Sequence, residues 1–294
     1  MALTSPEISP PVIDSLERKN SFRSLFDIVM TVVVAVFLAI ALVPLIAVIA
    51  YVIIQGGSRI SLDLFTQLPP PPMVDGGGFA NAIVGTLIMV GLAALISVPI
   101  GILIAIYLSE FSPPSVARAI RFATNVLNGV PSIIVGVFAY GLIVLTFKTF
   151  SALAGGIALS VLMLPIVIRT SDEALQIVPP DVRWASVGLG ASDYQTVLRV
   201  VVPAALPAIV TGVTLAVARA SGETAPLIFT ALFTQFWPQG LLEPTPSLAV
   251  LVYNFAGVPF KNQQELAWAA SLLLVLLVLI TSVIARFATR RKIY

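Results

Sequence analysis

Residues 183–207 read RWASVGLGASDYQTVLRVVVPAALP, a polar stretch set between two long apolar ones. Arg183, Ser186, Ser192, Asp193 and Arg199 alternate with Trp184, Leu189, Tyr194 and Leu198, and Gly190 breaks the run. The pattern predicts a short helix, a glycine turn, a second amphipathic piece, and then an apolar helix announced by Pro203 and Pro207. A chain that is otherwise soluble in lipid keeps one sizeable structured patch in water here. Two readings fit it. One is a knob that meets a soluble partner; the other is an interfacial helix on the cytoplasmic leaflet, which also favours Trp and Arg.

The rest of the chain supplies the setting. Of its 294 residues, 58% are hydrophobic and 10% charged, against about 25% charged in soluble domains. This is the composition of an all-α, polytopic membrane protein whose main solvent is the lipid bilayer. Cysteine and histidine are both absent. Disulfides, thiolate chemistry, imidazole acid–base work and the usual zinc sites are therefore excluded, and no catalytic or metal site is expected. The net charge of +2 reads as topology and not as nucleic-acid binding, because the basic residues gather in loops facing one side.

Residues 1–26 read as a polar cytoplasmic tail, and 27–294 as a six-span transmembrane domain. A crossing needs about 20 apolar residues, and six stretches qualify: 28–54, 80–108, 123–146, 153–168 (continuing past Arg169), 205–236 and 267–285. With the N-terminus inside, the inner segments hold Arg18, Lys19, Arg23, Arg118, Arg121, Arg169, Arg183, Arg199, Arg286, Arg290, Arg291 and Lys292. The outer loops hold only Arg59, Lys148 and Lys261. This asymmetry places both termini and the 183–207 loop in the cytoplasm.

Between the spans, Gly85, Gly91, Ala93, Ala94 and Gly101 predict close helix packing. Pro99 should bend its helix, with Ser97 nearby to satisfy exposed backbone. Asn125, Asn128, Gly129 and Pro131 mark one end of the third span, either as irregular backbone facing other helices or as a simple helix start. Arg169, Asp172 and Glu173 cluster one helical turn apart. They read as a solvated anchor or as an ion-pair lock that changes during transport. Residues 248–255 predict a short outer helix, used for docking or buried against its own bundle.

The sharpest signal is LAVARASGETAPLIF at 215–229. Counted from Leu206, Arg219 lies about 20 Å along a helix, near mid-bilayer, where it costs at least about 2.5–3.5 kcal/mol. It should face a polar or water-filled interior. Glu223 sits one turn on and can neutralise it. Pro226 cannot donate to the carbonyl of Gly222, so the helix is bent or broken there. A planar guanidinium that stays charged suits a tetrahedral oxyanion. A buried pair that only fixes packing is the alternative.

The 183–207 stretch resembles the coupling loop of ATP-binding-cassette importer permeases, EAA-x3-G-x9-I-x-L-P. Here the frame falls on Trp184, Ala185 and Ser186, then Gly190 followed by Ala191, then Val200 and Pro203, with Trp184 in place of the usual Glu. The strings NAIVGTL (81–87), VPIGILIAIYLSEF (98–111), GVPSIIVGVFAYG (129–141) and ARASGETAP (218–226) resemble the PstA-type permeases of phosphate-specific importers. The resemblance covers about residues 76–236. It implies a type I importer permease fold with six transmembrane helices and both termini cytoplasmic. It also implies a homologous PstC-type permease, two PstB-type ATPases that bind ATP and Mg²⁺, and a PstS-type phosphate-binding protein. On this reading Arg219 and Glu223 line the substrate pathway, with Arg169 as a further candidate. No G-x-x-x-x-G-K-[ST] occurs, so a partner supplies the energy. An importer for another oxyanion and a gradient-driven secondary transporter with Glu223 as proton carrier are the other hypotheses.

Overall fold

The computed structural model describes residues 22–288, and these are helical or irregular, with no strand among them. The expected tail therefore lies outside the described residues up to position 21, as do Arg290, Arg291 and Lys292. Helix α1, Phe22–Gly57, takes in the last residues assigned to that tail. Its sequence is apolar around the whole circumference, as suits a helix surrounded by lipid. Contacts divide the chain into one unit ending at Tyr51 and a second beginning at Val52, and the second holds every residue discussed below.

In that second unit, α2 (Asp63–Thr66) leads to α3 (Ala80–Ile106), which ends in a π-helical turn, Tyr107–Phe111. Next come α4 (Pro114–Asn128), α5 (Ser132–Ala139), a second π turn (Tyr140–Val144) and α6 (Leu145–Phe147). Helix α7 (Ala152–Gln176) precedes α8 (Pro180–Gly188) and α9 (Asp193–Thr196). A third π turn, Val197–Val201, joins α9 to α10 (Val202–Ser221). The chain closes with α11 (Ala225–Thr230), α12 (Leu248–Ala256) and α13 (Lys261–Ala288). Among the described residues, five helical runs are long and apolar enough to cross a membrane, or six if the bent pair α4 and α5–α6 counts as one crossing.

Two spans carry breaks. The third span, read over 123–146 with either irregular backbone or a simple helix start at Asn125–Pro131, takes the irregular form: the chain turns by 95° between α4 and α5. Pro131 stands immediately before α5 with an extended backbone. A proline also drives the residue before it out of helical geometry. Asn128–Gly129 thus ends an amphipathic helix, which buries Ala117 and Thr124 and exposes Phe122 and Val126. The second concerns 205–236. The helical run there starts earlier, covering Asp193–Ser221, and stops at the break expected from Gly222 and Pro226. Gly222 N–H donates to the Arg219 carbonyl at 3.1 Å and Glu223 N–H to that of Ala220 at 3.2 Å. These tight bonds finish the helix, and Pro226 then opens α11 from its first turn, where its missing N–H costs nothing.

The core forms where α3 and α10 pack on α7. It contains Met89, Ala93, Leu159, Met163, Val167, Ala216 and Ala220. Small residues set the spacing: a Cβ at Gly101 would lie 2.7 Å from Val167 Cγ1, and the side chain of Thr170 fills the space beside Gly212. Gly91 departs from the expected packing stripe and has nothing within 4 Å. Helix α3 continues through Pro99, and the Ser97 hydroxyl is buried without a hydrogen-bond partner, so it does not satisfy the freed backbone. Near the start of α3, α12 forms where a short helix was expected. Ser247 caps it by accepting from Val250 N–H at 3.3 Å. Leu248, Leu251 and Phe255 are buried with Leu266 and Ala270 of α13, so this segment folds onto its own bundle.

Candidate functional site

The 183–207 stretch folds as a short helix, a turn and a second helical piece that runs without interruption into α10. Pro180 starts α8 from its first turn. Gly190 has φ +91, left-handed backbone that favours glycine. Ser192 and Gln195 then form a reciprocal capping box on α9, at 3.0 and 3.4 Å. The Ser186 and Thr196 hydroxyls lie 2.9 Å apart and join α8 to α9. Trp184 is 69% exposed, Leu189 91% and Tyr194 69%. Ala185 is also exposed, whereas Ala191, Val200 and Pro203 are half-buried. The knob thus offers an aromatic and aliphatic surface rimmed by polar groups, the make-up of an interface hot spot.

Its inner side is fastened. The Arg183 guanidinium donates from Nε and Nη2 to Glu110 at 3.2 and 2.9 Å. It also donates to the carbonyls of Leu175, at 3.0 Å, and Val178. Phe111 stacks on Tyr194 with ring centroids 5.0 Å apart.

At the far end of α10, Arg219 Nε stands 3.7 Å from Glu223 Oε1, an ion pair beyond hydrogen-bond length, with side chains 57% and 17% exposed. Arg219 occupies the last turn of the helix, with the helix break just beyond. The run Asp193–Ser221 is 29 residues, or about 43 Å at about 1.5 Å per residue. The helix buries Ala205, Ile209, Gly212, Ala216 and Ala220. The adjoining stripe of Ala204, Ala208, Thr211, Leu215 and Arg219 is exposed. The guanidinium stands at the exposed end of this stripe, part of which borders a cleft with Thr170 of α7 and Ser282 of α13.

The Arg169 cluster divides in two. Arg169 Nε donates to Glu173 at 2.9 Å, both side chains being more than half exposed. Asp172 turns instead to Arg121 of α4 and accepts from its Nε and Nη2 at 2.7 and 3.0 Å. These groups, with Asn125, Asn128 and Gln176, line a polar cleft of about 480 Å³. Sequence spacing missed Arg121 as the partner of Asp172 and Glu110 as the partner of Arg183. The partners are 51 and 73 residues apart, so no local pattern joins them. Among the described residues there is no cluster able to hold a metal ion.

The family described as "Binding-protein-dependent transport system inner membrane component" matches residues 97–294. A Yersinia pestis protein, "Phosphate transport system permease protein PstA", is 38% identical over 96% of both chains. The Haemophilus influenzae protein of that name is 43% identical over 82% of this chain and 85% of its own. The chain belongs to the PstA family of permeases. It is a multi-pass membrane protein and a permease subunit, not an enzyme. A PstA 1 from Mycobacterium tuberculosis is 32% identical over 98% of both chains. Among solved structures, a bacterial alginate ABC transporter matches with a TM-score of 0.64 at 17% identity, covering 90% of this chain and 95% of that one. An inward-facing MetNI methionine ABC transporter matches at 0.58 and 22% identity, covering 71% and 93%. These likenesses show the type I importer permease fold.

Proposed function

We propose that this chain is one half of the translocation pathway of an ATP-driven phosphate importer in a bacterial cytoplasmic membrane, with both termini and the 183–207 loop inside. The observation that carries the reading is the single helical run from Asp193 to Ser221. One end continues from an exposed docking knob, and the other ends on Arg219 and Glu223 at a helix break. A rigid rod joining a grip to an oxyanion contact converts movement at one end into exposure at the other. The curated relatives named for phosphate transport support phosphate as the substrate.

The partners are a homologous PstC-type permease, two PstB-type ATPases and a PstS-type phosphate-binding protein. Arg219, at the exposed end of α10, faces the second permease, and the pathway lies between the two. ATP and Mg²⁺ are bound by the ATPases; this chain holds no cofactor. Closure of the ATPases on ATP draws the two loops together, and the spans rock from inward-open to outward-open. Phosphate then meets Arg219, whose five donors match its oxygens, and leaves inward after hydrolysis. Glu223 balances the guanidinium when the site is empty. Arg169, at the polar cleft, is a second contact along the route.

The test is reconstitution with the candidate ATPase, second permease and binding protein. Phosphate should stimulate ATP hydrolysis and sulfate should not. Equal stimulation by both anions would overturn the assignment of phosphate.

A further inference from the structure

The loop is not merely adjacent to the membrane helices. Its inner side is tied to the end of α3 at two consecutive residues. Glu110 receives the Arg183 guanidinium at 2.9 and 3.2 Å, with the two side chains 8% and 23% exposed. Phe111 stacks on Tyr194 at 5.0 Å with the rings 25° from parallel. The π turn that carries both residues is closed by Ser112 N–H donating to the Tyr107 carbonyl at 2.8 Å. Such a turn shifts side chains off the regular helical faces, and here it lets neighbours reach α8 and α9 together. Arg183 also donates to the carbonyls of Leu175 and Val178. One guanidinium therefore holds the ends of α3 and α7 and the start of α8.

We infer that Glu110 and Phe111 are the fasteners through which displacement of the loop reaches the pathway helices, with Arg183 as the positioning residue. Without them, the bend at Gln176–Pro179 and the Gly190 turn would let the knob move while α3 stayed still. With them, loop, α3 and α7 move as one body, because α3 and α7 are locked along their length by the Gly101–Val167 and Gly156–Leu92 contacts. This rests on the reading that an ATPase grips the loop, and it adds where the force goes next. The fork geometry explains why arginine is used: a lysine ammonium cannot hold a carboxylate and two carbonyls in one plane.

The test uses the assembled transporter with its ATPase and binding protein. Glu110→Gln keeps the shape and removes the charge. Phosphate imported per ATP hydrolysed should fall by about tenfold, the size expected of a residue that carries coupling, while the ATPase still co-purifies. An unchanged ratio would overturn the inference. Loss of ATPase co-purification would also overturn it, because the pair would then shape the docking surface and not transmit through it. A second measurement replaces the stack by a covalent tie. The chain has no cysteine, so Phe111→Cys with Tyr194→Cys gives one pair for a short bis-methanethiosulfonate bridge. The double variant lacks the stack and should itself import less phosphate per ATP hydrolysed; groups that move as one body tolerate a tie, so the bridge should restore that ratio and not lower it. Arrest by the bridge, reversed on reduction, would show that loop and α3 separate during the cycle. Failure of the docking reading appears elsewhere, as Trp184→Asp leaving ATPase binding intact.

Discussion

Arg219 pairs with Glu223 at the end of α10 and is otherwise largely exposed. Its side chain is 57% exposed and the carboxylate is 3.7 Å away. An Arg so placed in a membrane helix costs at least about 2.5–3.5 kcal/mol unless water, a partner or a ligand solvates it. Arg219→Gln should abolish phosphate uptake while the complex still assembles; uptake at the normal rate would remove Arg219 from the pathway. Packing residues behave differently. Gly101→Val drives a side chain against Val167, with an added Cβ only 2.7 Å from Val167 Cγ1, and should destabilise by about 1–3 kcal/mol. Gly91→Ala meets nothing within 4 Å and should leave the thermal midpoint of the purified complex unchanged. A drop for Gly91→Ala equal to that for Gly101→Val would contradict this packing scheme. A third contrast concerns the polar cleft. Asp172 is buried and relies on Arg121, whereas Arg169 and Glu173 are both more than half exposed. Arg121→Met should therefore lower the thermal midpoint more than Arg169→Met, because a stranded buried acceptor costs more than a solvated pair.

At the scale of the element, the loop and the broken helix were partly legible. The Gly190 turn and the helix resuming after it follow from local chemistry, since glycine and capping residues act on their immediate neighbours. The break after Ser221 follows from Pro226 for the same reason. The 95° turn before α5 did not, although Gly129 and Pro131 announced an irregularity. Whether a chain bends or merely starts a helix at such a pair depends on what packs against both sides. The face on which Arg219 emerges was also hidden, because it depends on which stripe of α10 meets α7. The long-range pairs Arg121–Asp172 and Arg183–Glu110 were invisible to any periodicity. The exposed knob carries its own prediction. Trp184→Asp places a charge at the centre of the apolar surface, and Gly190→Val strains a backbone at φ +91 by about 1–3 kcal/mol. Both should reduce co-purification of the ATPase, read by pull-down from solubilised membranes, and undiminished recovery with both variants would contradict docking at this loop.

At the scale of the whole molecule, the proposed function makes the chain half a machine. Its core is small-residue packing among α3, α7 and α10, Arg219 is exposed at the end of α10, and the 183–207 knob exposes an apolar surface. The sequence carries no G-x-x-x-x-G-K-[ST] loop for ATP, and on the proposed reading the energy enters through the knob from another subunit. A gradient-driven carrier would need none of this and would run by itself. The most direct measurement is uptake of labelled phosphate into vesicles containing the reconstituted complex, with hydrolysable ATP and with hydrolysis blocked in the ATPase. Uptake should require hydrolysis and be absent without it, whatever proton gradient is imposed. Uptake that persists with hydrolysis blocked and follows the gradient would contradict the account.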